Sequence, residues 1–212
     1  MHANQIAYNL WADQYDTNRN RTRDTEARAL REVLSGLHCT KVLEIGCGTG
    51  KNSEWLIQKA AHVTAVDFST EMLNKARAKP SCKNVQFVQA DMLQPWNFTT
   101  MQYDLAVFSL VLEHIQHLKP VFGQLRFKIA PQGYVYIGEL HPFKQYQGSL
   151  ARFDTENGRV ELQCYQHHLS DFFSAAQEHG FVPVGLKEWW DEADEQTEVP
   201  RILTLLFQKQ EA

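Results

Sequence analysis

Glu44 stands next to last in the apolar run Lys41-Val42-Leu43-Glu44-Ile45, and three glycines, Gly46, Gly48 and Gly50, follow that run at alternate positions. The next residues, Lys51-Asn52-Ser53-Glu54-Trp55-Leu56-Ile57, read as a helix. Strand, glycine turn and helix build a nucleotide-binding crevice. Glycine lets the backbone pass close beneath a ligand, and the helix N-terminus behind it offers unpaired N–H groups. The spacing separates the ligand classes. A phosphate-binding loop reads Gly-x-x-x-x-Gly-Lys-Ser/Thr, but Ile45 stands where its first glycine belongs and Asn52 replaces its hydroxyl. A dinucleotide turn reads Gly-x-Gly-x-x-Gly, and its last glycine would fall on Lys51.

A second acid, Asp67, ends the run Val63-Thr64-Ala65-Val66 about twenty residues on, where a carboxylate accepts hydrogen bonds from both hydroxyls of a ribose. An Asp that merely caps the next helix is the bland alternative. Ser69 is the better cap for a helix opening at Thr70, which leaves Asp67 free for a ligand. A carboxylate here would also repel a 2′-phosphorylated cofactor. A third run, Val85-Gln86-Phe87-Val88-Gln89, leads to Asp91-Met92. A fourth, Tyr103-Asp104-Leu105-Ala106-Val107-Phe108, leads to Ser109, Glu113 and His114. Each of these alone is only a polar residue at a strand end.

Taken in order, the residues closely resemble the motifs of the class I S-adenosylmethionine (SAM) dependent methyltransferases. Glu-x-Gly-x-Gly-x-Gly matches motif I, Asp67 motif II and the Ser109 region motif IV, and the match covers roughly residues 40–140. The resemblance implies that Asp67 holds the ribose, that Asp91 sits beside the adenine amino group, and that Met92 packs on the ring. It implies further cofactor contacts from Tyr15, Glu44, Gly46, Cys47 and Gly48. Gly50, Asn52, Phe68, Met72 and Ser109 complete that set. On the substrate side, position along the chain, on segments expected to face the crevice, points to Glu113, His114, His141, Tyr146 and His168, with His141 after strand five the candidate base. The implied fold is α/β and Rossmann-like: a doubly wound, mostly parallel seven-stranded sheet with helices on both faces. In it the last strand runs antiparallel between strands five and six.

These stations need positioning elements. Ile6, Leu10, Trp11 and Tyr15 recur at helical spacing over residues 4–16, and Thr25 to Leu34 reads as a second helix closed by Ser35-Gly36. Alternating strands and helices then run to Glu139, which means a parallel sheet covered on both faces. Ala130-Pro131-Gln132-Gly133 reads as a loop before strand five, and Pro120 starts the preceding helix. Asn157-Gly158 sits between two strand-like runs and predicts an inserted β-hairpin, a lid over the acceptor site. Ser170 caps a helix running to about His179, and strands follow at Phe181 to Trp190 and Ile202 to Phe207. The acidic stretch 191–195 reads as a solvated loop. The expected organisation is one SAM-binding domain over 1–212. It comprises N-terminal helices (1–36), a cofactor-binding half (41–139), a substrate lid (141–168) and a C-terminal helix with strands (170–212).

Composition narrows the partners. The chain has 212 residues, 43% hydrophobic and 22% charged, with a net charge of −4. These values suit an ordinary globular protein and offer no basic groove for nucleic acid. No apolar run approaches the ~20 residues of a membrane span. The four cysteines lack C-x-x-C spacing and suggest free thiols in a reducing compartment, so a cytoplasmic protein is expected. No metal site is expected, since the nine histidines lack a Cys/Asp cluster at ligand spacing.

Methyl transfer from SAM needs no covalent enzyme intermediate. It needs nucleophile and methyl held in line at about 3–3.5 Å with water excluded. A strong cofactor signature can therefore accompany an acceptor site that cannot be read. Ser109-Leu110-Val111-Leu112 lacks the Pro-Pro-aromatic run of amino-methylating DNA enzymes, and no cysteine follows a proline as in cytosine-C5 enzymes. A small-molecule acceptor remains, methylated on O, N or S. Two other functions compete: a non-catalytic SAM-binding partner or activating subunit, and a nicotinamide oxidoreductase, which Lys51 disfavours.

Overall fold

The structure is a computed structural model that describes residues 3–155, 158–191 and 199–211. Asn157 of the expected hairpin turn and most of the acidic stretch 191–195 lie outside the described residues.

Nine strands and seven α-helices follow in chain order among the described residues. Helices α1 (Ala3–Tyr15) and α2 (Arg21–Leu34) precede β1 (Lys41–Ile45). Then come α3 (Ser53–Lys59), β2 (His62–Asp67), α4 (Thr70–Ala78), β3 (Gln86–Gln89) and β4 (Tyr103–Ser109). They are followed by α5 (Lys119–Lys128), β5 (Ile129–Leu140) and α6 (Pro142–Tyr146). The hairpin strands β6 (Arg152–Thr155) and β7 (Gly158–Glu161) lead to α7 (Leu169–Glu178), β8 (Phe181–Trp189) and β9 (Ile202–Lys209).

Seven strands form one sheet in the order β3-β2-β1-β4-β5-β9-β8. The first five pair in parallel, and β9 runs antiparallel to both β5 and β8. The strand order reverses between β1 and β4, which opens a crevice at their carboxyl ends.

Alternation along the strands feeds two cores. Leu43, Ile45, Ala106, Phe108 and Val135 pack with Val121, Phe122 and Phe172 of α5 and α7 on one face. Val42, Val63, Ala65, Leu105 and Val107 pack with Leu30, Leu56 and Leu73 of α2, α3 and α4 on the other. Trp189 is buried against Ala29 and Ile202, and its indole N–H donates to Thr204 Oγ1 at 2.9 Å.

Three elements depart from the sequence reading. Helix α2 begins at Arg21 rather than Thr25, because the Asn20 side chain accepts from the Arg23 N–H and caps it. Residues 130–133 belong to β5 rather than to a separate loop. The strand bulges there: Tyr103 pairs with Ile129 but Leu105 with Tyr134, and Gln132 takes a positive φ of 62°. Helix α7 begins at Leu169, where Asp171 Oδ2 accepts from the His168 N–H at 2.8 Å, so Ser170 lies inside it.

Candidate active site

The site forms where β1, β2 and β4 end. The backbone N–H groups of Gly46 and Cys47 both donate to the Val66 carbonyl, at 2.8 and 3.0 Å, which folds the chain back over β2. Gly46, Gly48 and Gly50 all lie in the left-handed region, with φ of 76°, 52° and 80°. That region costs an L-residue roughly 1–2 kcal/mol, so the sequence supplies glycine. The Asp67 carboxylate closes the turn from below. One oxygen accepts from the Gly48 N–H and the other from the Ser69 N–H, each at 2.8 Å. Burial pushes Asp67 up to about 6, and the backbone N–H donors pull it back down.

Above the turn lies a cavity of about 450 Å³. Gly46, Gly48, Asp67, Phe68, Asp91, Met92 and Ser109 line it from the sheet side. Helix α1 roofs it. Asn4, Tyr8 and Tyr15 share one face of that helix, and all three line the cavity. The roof is tied down at several points. Gln5 Nε2 donates to the Phe68 carbonyl at 2.6 Å, Asn9 Oδ1 accepts from Ser69 Oγ at 2.7 Å, and Trp11 stacks on Phe153 of the hairpin at 4.8 Å. The Gly-flanked hairpin thus docks on α1. Past it the extended chain brings Gln163 and Tyr165 to the cavity wall.

A smaller annex of about 50 Å³ shares Tyr15, Gly46, Gly48 and Ser109 with the cavity and extends beneath the turn. Arg23, Glu26, Glu44, Cys47 and Asn52 line it. Arg23 is anchored to the carbonyls of Tyr15 and Asn18, yet its buried Nε has no hydrogen-bond partner among the described residues. Glu26 accepts from Asn52 Nδ2 at 3.2 Å and from the Tyr136 hydroxyl at 3.1 Å; burial lifts it to about 7 against those hydrogen bonds. Glu44, lifted by burial to about 8, accepts from the Ser53 hydroxyl at the start of α3. The annex therefore carries an unsatisfied cationic donor beside buried acids, a polarity that suits the zwitterionic end of an amino acid.

The expected cofactor residues converge in large part on these two spaces. Tyr15, Gly46, Gly48, Asp67, Phe68, Asp91, Met92 and Ser109 line the cavity, and Glu44, Cys47 and Asn52 line the annex. Two do not. Met72 is buried with Trp11 and Phe153 beneath α1, because its position on α4 turns it into that cluster. Gly50 packs toward the core, where an added Cβ would meet Ala76 Cβ at 3.2 Å.

On the substrate side only His114 lines the cavity. Glu113 is buried beside it, and one of its carboxylate oxygens has no hydrogen-bond partner among the described residues. The expectation that His141 faces the substrate is corrected. His141 is 2% exposed, its Nδ1 accepts from the Phe143 N–H as the cap of α6, and its Nε2 lies 2.9 Å from Glu188 Oε1. Pro142 starts a helix there, so His141 becomes its cap instead of emerging at the sheet edge. Tyr146 and His168 hydrogen-bond to each other at 2.7 Å, outside the residues that line the cavity. Sequence reasoning missed Asn4, Tyr8, Arg23, Glu26, Gln163 and Tyr165. The i, i+4 spacing of Asn4 and Tyr8, and the alternation of Gln163 and Tyr165, carry that signal once α1 and the post-hairpin chain are known to flank the crevice.

Comparison with known proteins fits this geometry. The methyltransferase domain family matches residues 42–133, the stretch that builds the glycine turn, Asp67, Asp91 and Ser109. That match and the similar proteins below together support a class I SAM-dependent methyltransferase. An uncharacterised methyltransferase of Emericella nidulans is 26% identical over 219 residues, covering 85% of this chain and 76% of that protein. The ubiquinone biosynthesis O-methyltransferase of Aeromonas salmonicida is 32% identical over 114 residues, covering 53% of this methyltransferase and 48% of that one. This second match spans about half of the relative's length. Among solved structures, the complex of DhpI with SAH superposes with a TM-score of 0.77 at 22% identity, over 98% of this chain and 96% of that one. N-methyltransferase NodS of Bradyrhizobium japonicum, also with SAH, gives 0.67 at 19% identity, over 92% and 90%. These structures share the fold. The methyltransferase is an enzyme that uses SAM.

Proposed function

We propose that the cavity and its annex together hold SAM, and that the enzyme passes the methyl to a small-molecule acceptor entering from the outer end of the cavity. Asp67 carries the reading: a buried carboxylate at the end of β2, fixed by the Gly48 and Ser69 N–H groups and lining the cavity, is placed for ribose hydroxyls. Asp91 and Met92 beside it suit the adenine, and Arg23 with Glu26 suits the carboxylate and ammonium of the amino-acid end.

When bound, SAM supplies a methyl on a sulfonium, which a nucleophile displaces in line. The protein's part is to orient and to exclude water. Asp67 and the glycine turn fix the nucleoside, Arg23 fixes the amino-acid end, and α1 with Tyr8 and Tyr15 closes the space above. Ser109 and Leu110, shared by cavity and annex, stand where the two halves meet.

The chain reads as one methyltransferase domain, with the hairpin and residues 162–168 as its lid. A net charge of −4 and free cysteines fit a small-molecule enzyme of the cytoplasm, without nucleic acid or membrane as partner. Among the described residues no helix is long and apolar enough to cross a membrane. Release of S-adenosylhomocysteine from SAM in the presence of an acceptor panel tests the function. Binding of SAM without release under any acceptor would favour a SAM-binding partner protein instead.

A further inference from the structure

His114 and Tyr8 meet at the cavity wall. His114 Nε2 lies 2.7 Å from Tyr8 Oη, and its Nδ1 lies 3.0 Å from the Gln163 carbonyl oxygen. A carbonyl oxygen only accepts, so the proton of the neutral ring sits on Nδ1 and Nε2 is bare. Asn4 Nδ2, which donates to the same carbonyl at 2.9 Å, lies farther from Nδ1, at 3.3 Å. The Tyr8 hydroxyl therefore donates to His114, and its oxygen keeps lone pairs for a ligand in the cavity. His114 also faces Cys164 Sγ, 3.8 Å from Nδ1, and Glu113 Oε1, 3.9 Å from Nε2, and it interacts electrostatically with the Asp67 carboxylate across the cavity. Glu113 is placed to stabilise an imidazolium.

The charge of the cavity supplies a second observation. Its charged lining residues, Asp67 and Asp91, stand at the cofactor end. The outer end is lined by Asn4, Gln116, His117, Gln163 and Tyr165. No Lys or Arg lines the cavity among the described residues, and the sequence has none at the remaining positions. Among the described residues the outer end thus offers no Lys or Arg to a carboxylate or phosphate acceptor, and no carboxylate in its lining to an ammonium.

We propose that Tyr8 and His114 are the proton-accepting pair of this methyltransferase and that its acceptor is an uncharged hydroxyl compound, an alcohol or phenol. The proposal rests on the reading that SAM fills the cofactor end. In the step, a lone pair of the acceptor oxygen forms the O–C bond as the S–C bond breaks, and that electron pair stays on sulfur. The hydroxyl proton passes to Tyr8 Oη while the Tyr8 proton passes to His114 Nε2. The positive charge that arrives on the sulfonium leaves on the imidazolium, which gives a proton to solvent.

Three measurements test this on the full-length protein, on Tyr8→Phe and on His114→Gln. Titration with S-adenosylhomocysteine comes first; all three proteins should bind within about threefold of one another. A wild type that does not bind removes the cofactor reading itself, and this proposal with it. Nitrogen-15 spectra of wild-type histidines should then show neutral His114 as the Nδ1–H tautomer; the Nε2–H tautomer overturns the pair. Last, phenol and benzyl alcohol should bind the S-adenosylhomocysteine complex more tightly than benzoate. Under turnover of a phenol or alcohol, both variants should lose about 10²-fold or more in kcat with KM little changed. Tighter binding of benzoate, or an undiminished kcat in both variants, would overturn the proposal.

Discussion

Gly46 and Gly48 are two residues apart, share a positive φ and line the same cavity, yet alanine should act on them differently. At Gly48 (φ 52°) an added Cβ would find only Tyr15 Cε1, at 4.0 Å across the cavity. Gly48→Ala should therefore cost only the left-handed backbone, roughly 1–2 kcal/mol. At Gly46 (φ 76°) the added Cβ would lie 2.4 Å from Val111 Cγ2 and 2.8 Å from Val111 Cβ. Val111 has little room to retreat, because its N–H donates to Glu139 Oε1 at 2.9 Å. Overpacking of that kind adds about 1–3 kcal/mol, so Gly46→Ala should cost about 2–5 kcal/mol in all. Against a typical total stability of roughly 5–15 kcal/mol that is a large fraction. Urea unfolding followed by circular dichroism gives both values, and calorimetric titration gives SAM affinity. Gly48→Ala should stay folded and lose at least tenfold in affinity, since its methyl enters ligand space. Equal stability losses at the two glycines, or normal SAM affinity in Gly48→Ala, would refute the reasoning.

The buried Asp67, held at about 6 in the free protein, makes SAM affinity pH-dependent. Ribose hydroxyls and a cationic ligand favour the carboxylate, so affinity should rise as pH climbs through about 6 and level off above it; a flat titration between pH 5 and 8 would contradict this. The same raised value means that Asp67 favours the free fold below the ordinary carboxylate range, a contribution lost as pH rises through about 6. His141→Ala should leave SAM affinity and turnover unchanged and lower stability by roughly 1 kcal/mol through loss of the α6 cap, read as a lower Tm.

The cofactor half was legible because its chemistry is local. The acid and glycines of motif I and the acids after β2 and β3 are each set by one strand end and the turn behind it, and periodicity places strand ends well. The acceptor half joins segments far apart in the chain. Tyr8 meets His114, and Gln163 closes the same wall, through the docking of α1 and the hairpin, which no local pattern announces. His141 shows the reverse error. Its position after strand five suggested a crevice residue, but Pro142 turned the strand end into a helix start and made the imidazole a cap. The bulge in β5 was hidden for a similar reason. Pro131 and Gly133 read as a loop, while pairing with β4 resumes on both sides of them.

The central claim is that the carboxylate at the end of β2 holds SAM. Side-by-side calorimetric titration of the wild type and Asp67→Ala with SAM, each checked for folding by circular dichroism, tests it most directly. Charge-assisted hydrogen bonds are worth roughly 1.5–3 kcal/mol each, so loss of the pair to ribose should weaken SAM tenfold or much more. Equal affinity of SAM for the two folded proteins would contradict the account.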